Sequence, residues 1–382
     1  MVNRRKRIGF LFTSIGRESM GVLNYFISII KAVDSLPDNE KPQFVVIYDE
    51  HIKKWVEAIQ YSHLELHLVK KQSLIKTLLK SFITGINFFV GNIIKEYSLD
   101  GLYPMNDYVG KIKYAASCKI ISWYPDFQHK FYPQYFTKSN LIIKEWRLKQ
   151  IIKKGRHLVL SSNHSKSHLM TFYKPTQLLQ IHILPFVSIL SQYQLPAFQE
   201  MKIKYDVNEP YFFLANQFYK HKNHILVFEA VKLLREKGIF IKLVCSGKLE
   251  DYRNPDYIEQ VKTYVIDNNL QNDIKMLGII PREDQLCLMK NCLAVIQPSK
   301  FEGWSTVIED AKTLQMPILA STFGVHKEQL EDKGLYFDED SSQSLATLLE
   351  GYLNGSVKRP LPFDNYEQRV AKFARLFIDL YK

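Results

Sequence analysis

Short apolar runs alternate along this chain with longer segments in which apolar residues recur every three or four positions. The short runs predict buried strands, and the periodic segments predict amphipathic helices, as in Val22–Val33, Asn223–Glu236 and Asn254–Asn268. Alternating strands and helices predict mostly parallel sheets covered by helices. The predicted strands are Ile8–Phe12, Phe44–Tyr48, Leu64–Val69, Leu99–Tyr103, Lys119–Trp123, His157–Ser161, Tyr211–Ala215, Ile239–Cys245, Ile274–Leu277, Leu293–Ile296 and Ile318–Ala320.

The strand–helix pattern is interrupted near Pro185–Glu209, which predicts a linker between two domains. A chain of 382 residues is long enough for two domains of ordinary size. We therefore expect a first domain over residues 1–188 and a second over residues 189–364. The end of the chain, Asn365–Lys382, predicts one more amphipathic helix.

Positive charge is concentrated in the first half of the chain. The net charge is +12, yet residues 1–190 contain 27 Lys and Arg against 13 Asp and Glu, whereas residues 191–382 contain 24 against 26. Such asymmetry favours an anionic partner for the first half, either a nucleic acid or an anionic bilayer. The lysines are interleaved with strand and helix patterns and form no RNA-binding motif, which argues against nucleic acid.

Residues 70–96 depart from the regular strand–helix pattern. Four lysines occur within residues 70–80, and residues 81–94 carry no charge. A basic amphipathic helix of this kind is typical of a bilayer surface. The alternative interpretation is an ordinary core helix of the first domain.

Other features of the composition indicate a cytoplasmic protein. The apolar part of the N-terminus is too short for a signal peptide, and no run of 18 apolar residues predicts a membrane span. The four cysteines lack the spacing of metal ligands or of a redox pair, so we expect reduced, buried thiols.

Residues 299–321 predict a strand end, a polar loop containing Glu302, a helix and a second strand. A loop at the carboxyl end of a strand is where open α/β sheets bind ligands. The backbone N–H groups of Trp304, Ser305 and Thr306 at the helix start favour an anion. The Glu302 carboxylate is better suited to hydroxyl donors. Together these groups predict a site for a sugar attached to a phosphate.

Two further polar segments follow predicted strands. Residues 122–136 place Asp126 three positions before His129, and a carboxylate beside an imidazole can set its tautomer and raise its basicity. Residues 216–224 contain Lys222, whose ammonium suits a phosphate. Because the histidines of this second segment have no Asp, Glu or Cys at ligand spacing, we predict no metal site.

The segment after residue 299 resembles that of the GT-B glycosyltransferases, in particular the retaining family 4, also called glycosyl transferases group 1. That group has an acid followed by glycine, an aromatic residue and a small residue, then a second acid eight positions after the first, an alanine, and a proline before the next strand. The corresponding residues here are Glu302, Gly303, Trp304, Ser305, Asp310, Ala311 and Pro317. The family usually has Glu as the second acid, so both Asp310 and its neighbour Glu309 are candidates for that role.

The resemblance implies a fold of two Rossmann-like domains that face each other across a cleft. The final helix, residues 365–382, would cross back to the first domain. The first domain would bind the acceptor, and the second would bind a nucleotide-sugar donor.

The resemblance also implies roles for individual residues. Glu302 would contact the donor sugar and Asp310 the nucleotide ribose. Lys222 matches a lysine that clamps the donor diphosphate, whereas Gln217 stands where the family has an arginine. The further donor-binding candidates are Gly16 after the first strand, Gly247 and Lys248 after the Cys245 strand, and Gly303, Trp304, Ser305 and Thr306.

We therefore expect a retaining, metal-independent glycosyltransferase that needs no cofactor, with His129, Asp126 and Glu302 as the catalytic candidates. Its acceptor would be a saccharide or a lipid-linked saccharide of bacterial surface polysaccharide synthesis, such as capsule, O-antigen or exopolysaccharide. The basic first domain would contact the cytoplasmic face of the inner membrane. The alternatives are an inactive scaffold that binds nucleotide sugars, a nucleotide-sugar epimerase of the same fold, and a nucleic-acid-binding protein.

Overall fold

The chain folds into two compact units. The computed structural model describes residues 4–13, 20–69, 80–81, 83–106, 108, 110–191 and 193–382. The first unit comprises Met1–Phe127, Thr137–Ile189 and Asn365–Lys382, and the second comprises Gln128–Phe136 and Leu190–Asp364. Residues 128–136 therefore belong with the second unit, although the sequence placed them in the first domain.

The first unit is built on a parallel sheet of seven strands. Their order across the sheet is β3-β2-β1-β5-β7-β8-β9, and β4 and β6 form a separate parallel pair. The strands are β1 Arg7–Leu11, β2 Gln43–Tyr48, β3 Leu64–Leu68, β4 Ile86–Asn87, β5 Gly101–Tyr103, β6 Lys111–Ile112, β7 Lys119–Trp123, β8 His157–Leu160 and β9 Gln180–Ile183.

Helices connect these strands, as parallel pairing requires. Up to residue 173 they are α1 Met20–Asp34, α2 Lys53–Val56, α3 Phe88–Glu96, α4 Gln128–Phe131, α5 Lys138–Lys154 and α6 Asn163–Tyr173, of which α4 lies in the second unit. No helix in the described part of the chain is long and apolar enough to cross a membrane.

The segment expected to form a basic amphipathic helix is not one continuous helix. Residues 70–79 and 82 lie outside the described residues. The strand β4 interrupts the segment before α3 begins at Phe88. Within α3, Val90, Ile93 and Ile94 are buried in the core of the first unit, as the core-helix interpretation expects.

The second unit contains a parallel sheet of six strands in the order β12-β11-β10-β13-β14-β15. They are β10 Tyr211–Leu214, β11 Lys242–Cys245, β12 Ile274–Met276, β13 Val295–Gln297, β14 Ile318–Ser321 and β15 Leu335–Phe337. The helices of this unit are α7 Phe198–Tyr205, α8 His224–Glu236, α9 Tyr257–Asp267, α10 Arg282–Lys290, α11 Thr306–Thr313, α12 Gly324–Leu330 and α13 Ser342–Leu353.

The strand order of the second unit reverses between β10 and β13. The chain moves outward from β10 to β11 and β12, and then returns to the other side of β10 with β13. Ligands of open α/β sheets bind beyond the carboxyl ends of the strands at such a switch point. We therefore expect a ligand-binding site at the loops after β10 and β13.

The last helix, α14 Tyr366–Asp379, packs into the core of the first unit. Its Phe377 ring stacks on Phe10 of β1 at 5.7 Å between ring centroids, and Val370 and Phe373 are buried beside it. The predicted return of the final helix to the first domain is confirmed.

Candidate functional site

The switch point of the second unit brings Lys222 and Glu302 together. Lys222 lies in the loop after β10, and Glu302 lies in the loop after β13. The Lys222 Nζ is 2.5 Å from the Glu302 Oε1, and only 15% and 12% of the two side chains are exposed. Two residues that the sequence assigned to one ligand are thus ion-paired at the carboxyl edge of the sheet.

A buried amide network orients the Glu302 carboxylate. Gln297, the last residue of β13, donates from Nε2 to Glu302 Oε1 at 3.0 Å and to Ser305 Oγ at 2.8 Å. Its own Oε1 accepts a hydrogen bond from Asn216 Nδ2 at 2.6 Å. Gln297 and Asn216 were not predicted as site residues, although each is a polar residue at the end of an apolar strand run.

Ser305 is the N-cap of α11, and its own backbone N–H is hydrogen-bonded to another side chain of the protein. Its Oγ accepts from the Ile308 N–H at 3.4 Å, as an N-cap side chain does. Its own N–H donates to Gln329 Oε1 at 2.8 Å. In this structure the Ser305 N–H is thus already used within the protein, and its anion-binding role stays a prediction. Thr306, the first residue of the helix, is exposed, and Gly303 and Trp304 are half-buried.

The two neighbouring acids of α11 point to different partners. Glu309 accepts from Gln329 Nε2 at 3.1 Å and pairs with Lys312 at 3.2 Å. Asp310 pairs with Arg282 of α10 at 2.5 Å. Burial lowers the pKa of Arg282, but its interaction with the Asp310 carboxylate outweighs that effect and raises the pKa above its usual value.

Arg282 connects Asp310 to the loop after β11. Arg282 Nη1 donates to Gln285 at 2.7 Å, and Gln285 in turn donates to Ser246 Oγ at 3.1 Å. Ser246 directly precedes Gly247, a predicted nucleotide-binding residue. Asp310 is thus linked to the predicted nucleotide loop. Arg282 was not predicted, because nothing in a sequence marks which arginine on a neighbouring helix meets a given acid.

Gly247 holds a conformation that only glycine accepts. Its φ is +145°, and a Cβ added there would lie 2.1 Å from the carbonyl oxygen of Asn216. Its N–H donates to the Gly278 carbonyl at 2.8 Å. The close approach of Gly247 and Asn216 therefore fixes the loop after β11 against the loop after β10.

Gln217 and Lys248 reinforce the contact between these two loops. The Lys248 N–H donates to Gln217 Oε1 at 2.8 Å, and the Lys248 Nζ lies 2.9 Å from Glu250. Gln217 thus serves as a link between loops in the place where the resemblance implies an arginine.

The His129 segment packs on the second unit beside the Glu302 loop. Phe131 and Tyr132 contact Phe301, the residue before Glu302, at 5.4 and 6.1 Å between ring centroids. His129 itself is buried. These aromatic contacts explain why residues 128–136 belong to the second unit. Asp126 belongs to the first unit, so its pairing with His129 stays a prediction.

The histidines near Lys222 are buried and uncharged at neutral pH. Burial, with a smaller effect of the Lys222 ammonium, lowers the pKa of His221 well below its usual value. Burial lowers the pKa of His224 to about 3, and its ring stacks on Phe218 at 3.9 Å. Within the described ranges no group of three or more His, Cys, Asp or Glu residues could hold a metal ion. Gly16 lies outside the described residues.

Most of the second unit matches a known protein family. Residues 198–374, which contain Lys222, Gly247, Glu302 and Asp310 but not the His129 segment, match the family Glycosyl transferases group 1. A glycogen synthase of Marinomonas sp. (strain MWYL1) is 27% identical over 172 residues, which cover 43% of this chain and 34% of that protein. The chain thus matches about a third of the length of this curated relative.

Solved structures resemble the whole chain. A glycosyltransferase from Rickettsia africae has a TM-score of 0.65 at 15% identity and covers 99% of this chain and 93% of its own. The Anabaena protein HepE, solved with UDP and glucose, has a TM-score of 0.63 at 16% identity, with coverages of 98% and 94%. The lipopolysaccharide outer core galactosyltransferase WaaB has a TM-score of 0.61 at 14% identity, with coverages of 98% for both chains. These similarities show the GT-B fold.

Proposed function

Because this chain has the GT-B fold and its residues 198–374 match glycosyl transferases group 1, we propose that it transfers a sugar from a nucleotide-diphosphate sugar to a saccharide or lipid-linked saccharide, with retention. The observation that carries the proposal is the Lys222–Glu302 pair, held by Gln297 at the switch point of the donor-side sheet. This pair offers one cation for a diphosphate and one oriented carboxylate for sugar hydroxyls.

The donor would replace the internal ion pair with interactions of its own. The Lys222 ammonium would turn from Glu302 to the diphosphate, where it stabilises the charge that develops on the leaving group. The Glu302 carboxylate, still hydrogen-bonded to Gln297, would accept hydrogen bonds from the sugar. Charge on the leaving group is then met by the Lys222 ammonium, which supports a metal-independent reaction.

Two similar proteins suggest the class of acceptor and the place of the reaction. WaaB is a lipopolysaccharide galactosyltransferase, and HepE was solved with UDP and with glucose. By analogy, the acceptor of this chain would belong to a bacterial surface polysaccharide. The reaction would take place at the cytoplasmic face of the inner membrane, with His129 and Asp126 as further catalytic candidates.

Product analysis tests the proposal. Incubation with UDP-, GDP- and ADP-sugars and a saccharide acceptor mixture should release the nucleoside diphosphate from one donor class. Nuclear magnetic resonance of the new glycoside should show the anomeric configuration of the donor. An inverted product would contradict retention. A free epimerised nucleotide sugar would indicate the epimerase instead.

One observation favours a second candidate, a nucleotide-sugar-binding scaffold without transferase activity. Gln217 replaces a cation at the predicted diphosphate site, and its amide is engaged with the Lys248 N–H. Such a scaffold would bind a nucleotide sugar and release no nucleoside diphosphate in the same incubation.

The two acids of α11 give a matched test of nucleotide binding. We expect Asp310→Asn to weaken nucleotide binding by about 10- to 100-fold, because a hydrogen bond to a charged acceptor contributes roughly 1.5–3 kcal/mol. Glu309→Gln should change the affinity less than about twofold, since Glu309 faces Gln329 and Lys312. Calorimetric titration of both variants with the preferred nucleoside diphosphate measures this, with thermal unfolding as the control for stability. A larger loss for Glu309→Gln would assign the ribose to Glu309.

A further inference from the structure

A large basic cavity lies at the edge of the first unit's sheet where the strands begin. Its volume is about 1010 Å³, and its lining includes Lys119 and His157, the first residues of β7 and β8. Sugar-transfer chemistry is expected at the other edge, where the strands end. The proposed reaction therefore gives this cavity no role.

The wall of the cavity combines cations with apolar surface. The lining contains no carboxylate among its described residues, and it includes five cations: Lys111, Lys119, Lys153, Lys154 and Arg156. Lys154 donates to the Tyr108 carbonyl at 3.0 Å, whereas the other four form no ion pair with the described residues. Apolar surface is contributed by Ile112, Ala115, Ala116 and Ile120.

Backbone contacts hold the walls of the cavity in place. Gly110 has a φ of +75°, and a Cβ there would lie 2.7 Å from the carbonyl carbon of Gly85. The Lys111 N–H donates to the Gly85 carbonyl at 2.7 Å. Burial, helped by the Lys119 ammonium, lowers the pKa of His157 to about 4, so this imidazole adds no charge at neutral pH.

The exposed face of α5 continues from the cavity. Ile142, Trp146, Lys149 and Lys153 are spaced by four, three and four residues, so they form one stripe along the helix. Ile142 is 68% exposed and Trp146 is 43% exposed, and their spacing of four residues makes them neighbours on the exposed face. Lys153 belongs both to this stripe and to the cavity lining.

The charged residues of α5 are mostly cations. Its one acid, Glu145, accepts a hydrogen bond from the Tyr173 hydroxyl at 2.7 Å. The helix also carries exposed Ile143 beside the stripe. An exposed helix face with large apolar residues and cations, and with a single, half-buried acid engaged by a tyrosine, has the chemistry of a helix that lies in a membrane interface.

We propose that the cavity and the α5 stripe together bind an anionic phospholipid bilayer, with lipid phosphate in the cavity and Ile142 and Trp146 at the headgroup boundary. The charge complementarity identifies the occupant, because five cations without a carboxylate match anionic headgroups. Neighbouring exposed apolar side chains match the acyl region. The proposal adds a defined surface to the membrane location in the proposed function, and its test needs no transferase activity.

Vesicle flotation of the full chain tests the proposal. The wild type should bind vesicles of phosphatidylcholine and phosphatidylglycerol in equal parts, and should not bind pure phosphatidylcholine. The triple variant Lys119→Gln/Lys153→Gln/Arg156→Gln should bind roughly 100-fold more weakly, because each cation near an anionic surface contributes about fivefold. The double variant Ile142→Ser/Trp146→Ser should lose at least about tenfold.

A matched control removes three lysines from other surfaces of the same unit. The variant Lys54→Gln/Lys166→Gln/Lys372→Gln changes exposed residues of α2, α6 and α14 and carries the same net charge as the cavity variant. It should bind anionic vesicles within about threefold of the wild type. Equal loss in the control and the cavity variant would overturn the site. Vesicle binding unaffected by either set, or binding of inorganic phosphate without vesicle binding, would overturn it as well. Thermal unfolding confirms that each variant is folded.

Discussion

Replacing Lys222 with methionine is expected to lower kcat for sugar transfer by about 10²- to 10³-fold, the usual effect of removing one preorganised charge-stabilising donor. Methionine keeps an unbranched chain of similar length and removes only the charge and its hydrogen bonds. Lys222 is the cation that meets Glu302 at the switch point, and Gln217 supplies no second charge from the same loop. The leaving group would therefore depend on Lys222 to an unusual degree.

The same loop supplies a matched control. Lys220 is two residues away, and its side chain is exposed. Lys220→Met should keep kcat within about threefold of the wild type, because a screened surface charge contributes little. Initial rates of nucleoside diphosphate release measure both variants. Equal activities for Lys220→Met and Lys222→Met would remove Lys222 from the proposed reaction.

Loss of the Lys222 charge also breaks a partly buried ion pair, so stability must be measured separately. The variant Lys222→Met/Glu302→Gln removes both charges. The new glutamine at position 302 still has an oxygen that can accept the hydrogen bond from Gln297 Nε2. We expect this double variant to unfold at a temperature closer to that of the wild type than Lys222→Met does, because it leaves no unpaired carboxylate. It should stay inactive, which separates catalysis from stability.

Gly247→Ala is expected to destabilise the second unit by about 3 kcal/mol, the cost of a strained backbone together with a steric clash. The added Cβ would lie 2.1 Å from the Asn216 carbonyl oxygen, and its neighbour is backbone, which cannot turn away as a side chain can. For a unit of this size we expect a fall in melting temperature of about 10 °C. Displacement of the loop should also break the Lys248–Gln217 hydrogen bond and abolish nucleotide binding.

Gly238 provides the comparison for Gly247. Its φ is +79°, and no atom lies within 4 Å of a Cβ placed there. Gly238→Ala should cost only about 1 kcal/mol, from backbone strain alone. Calorimetric unfolding with and without nucleotide measures both variants. If Gly247→Ala were no more destabilised than Gly238→Ala and still bound nucleotide, the close packing of the two loops would not be essential.

Much of the strand framework follows from local patterns. The strand β7 has the predicted bounds, and β2 and β10 differ from the predictions by one residue at one end. The strands β9 and β15 were missed, because Gln180–Ile183 contains no continuous apolar run and Leu335–Phe337 is only three residues long. The alternation of polar and apolar residues in Gln180–Ile183 is nevertheless typical of a half-buried strand. Helix α5 was also missed, since its apolar residues are spread around the helix and several remain exposed.

The site shows the same division between local and long-range information. Glu302 and Lys222 were predicted because each lies in the loop that follows a strand run, and position after a strand is a local property. Their pairing joins residues 80 positions apart, and the contact of Arg282 with Asp310 joins residues 28 positions apart. Which polar side chains meet depends on strand order, and strand order is a property of the whole sheet. The structure places residues 128–136 in the second unit and not in the first for the same reason, since this placement rests on aromatic contacts with Phe301.

Titration with nucleotide-diphosphate sugars tests whether Lys222 and Glu302 form a donor site. The wild type and Lys222→Met would be titrated with UDP-, GDP- and ADP-sugars while thermal unfolding is followed. We expect one donor class to stabilise the wild type by about 2.7 kcal/mol at 100 times its Kd, and Lys222→Met to lose most of this stabilisation at the same concentration. Absence of stabilisation by every donor, or an equal effect on both proteins, would contradict a donor site built around Lys222 and Glu302.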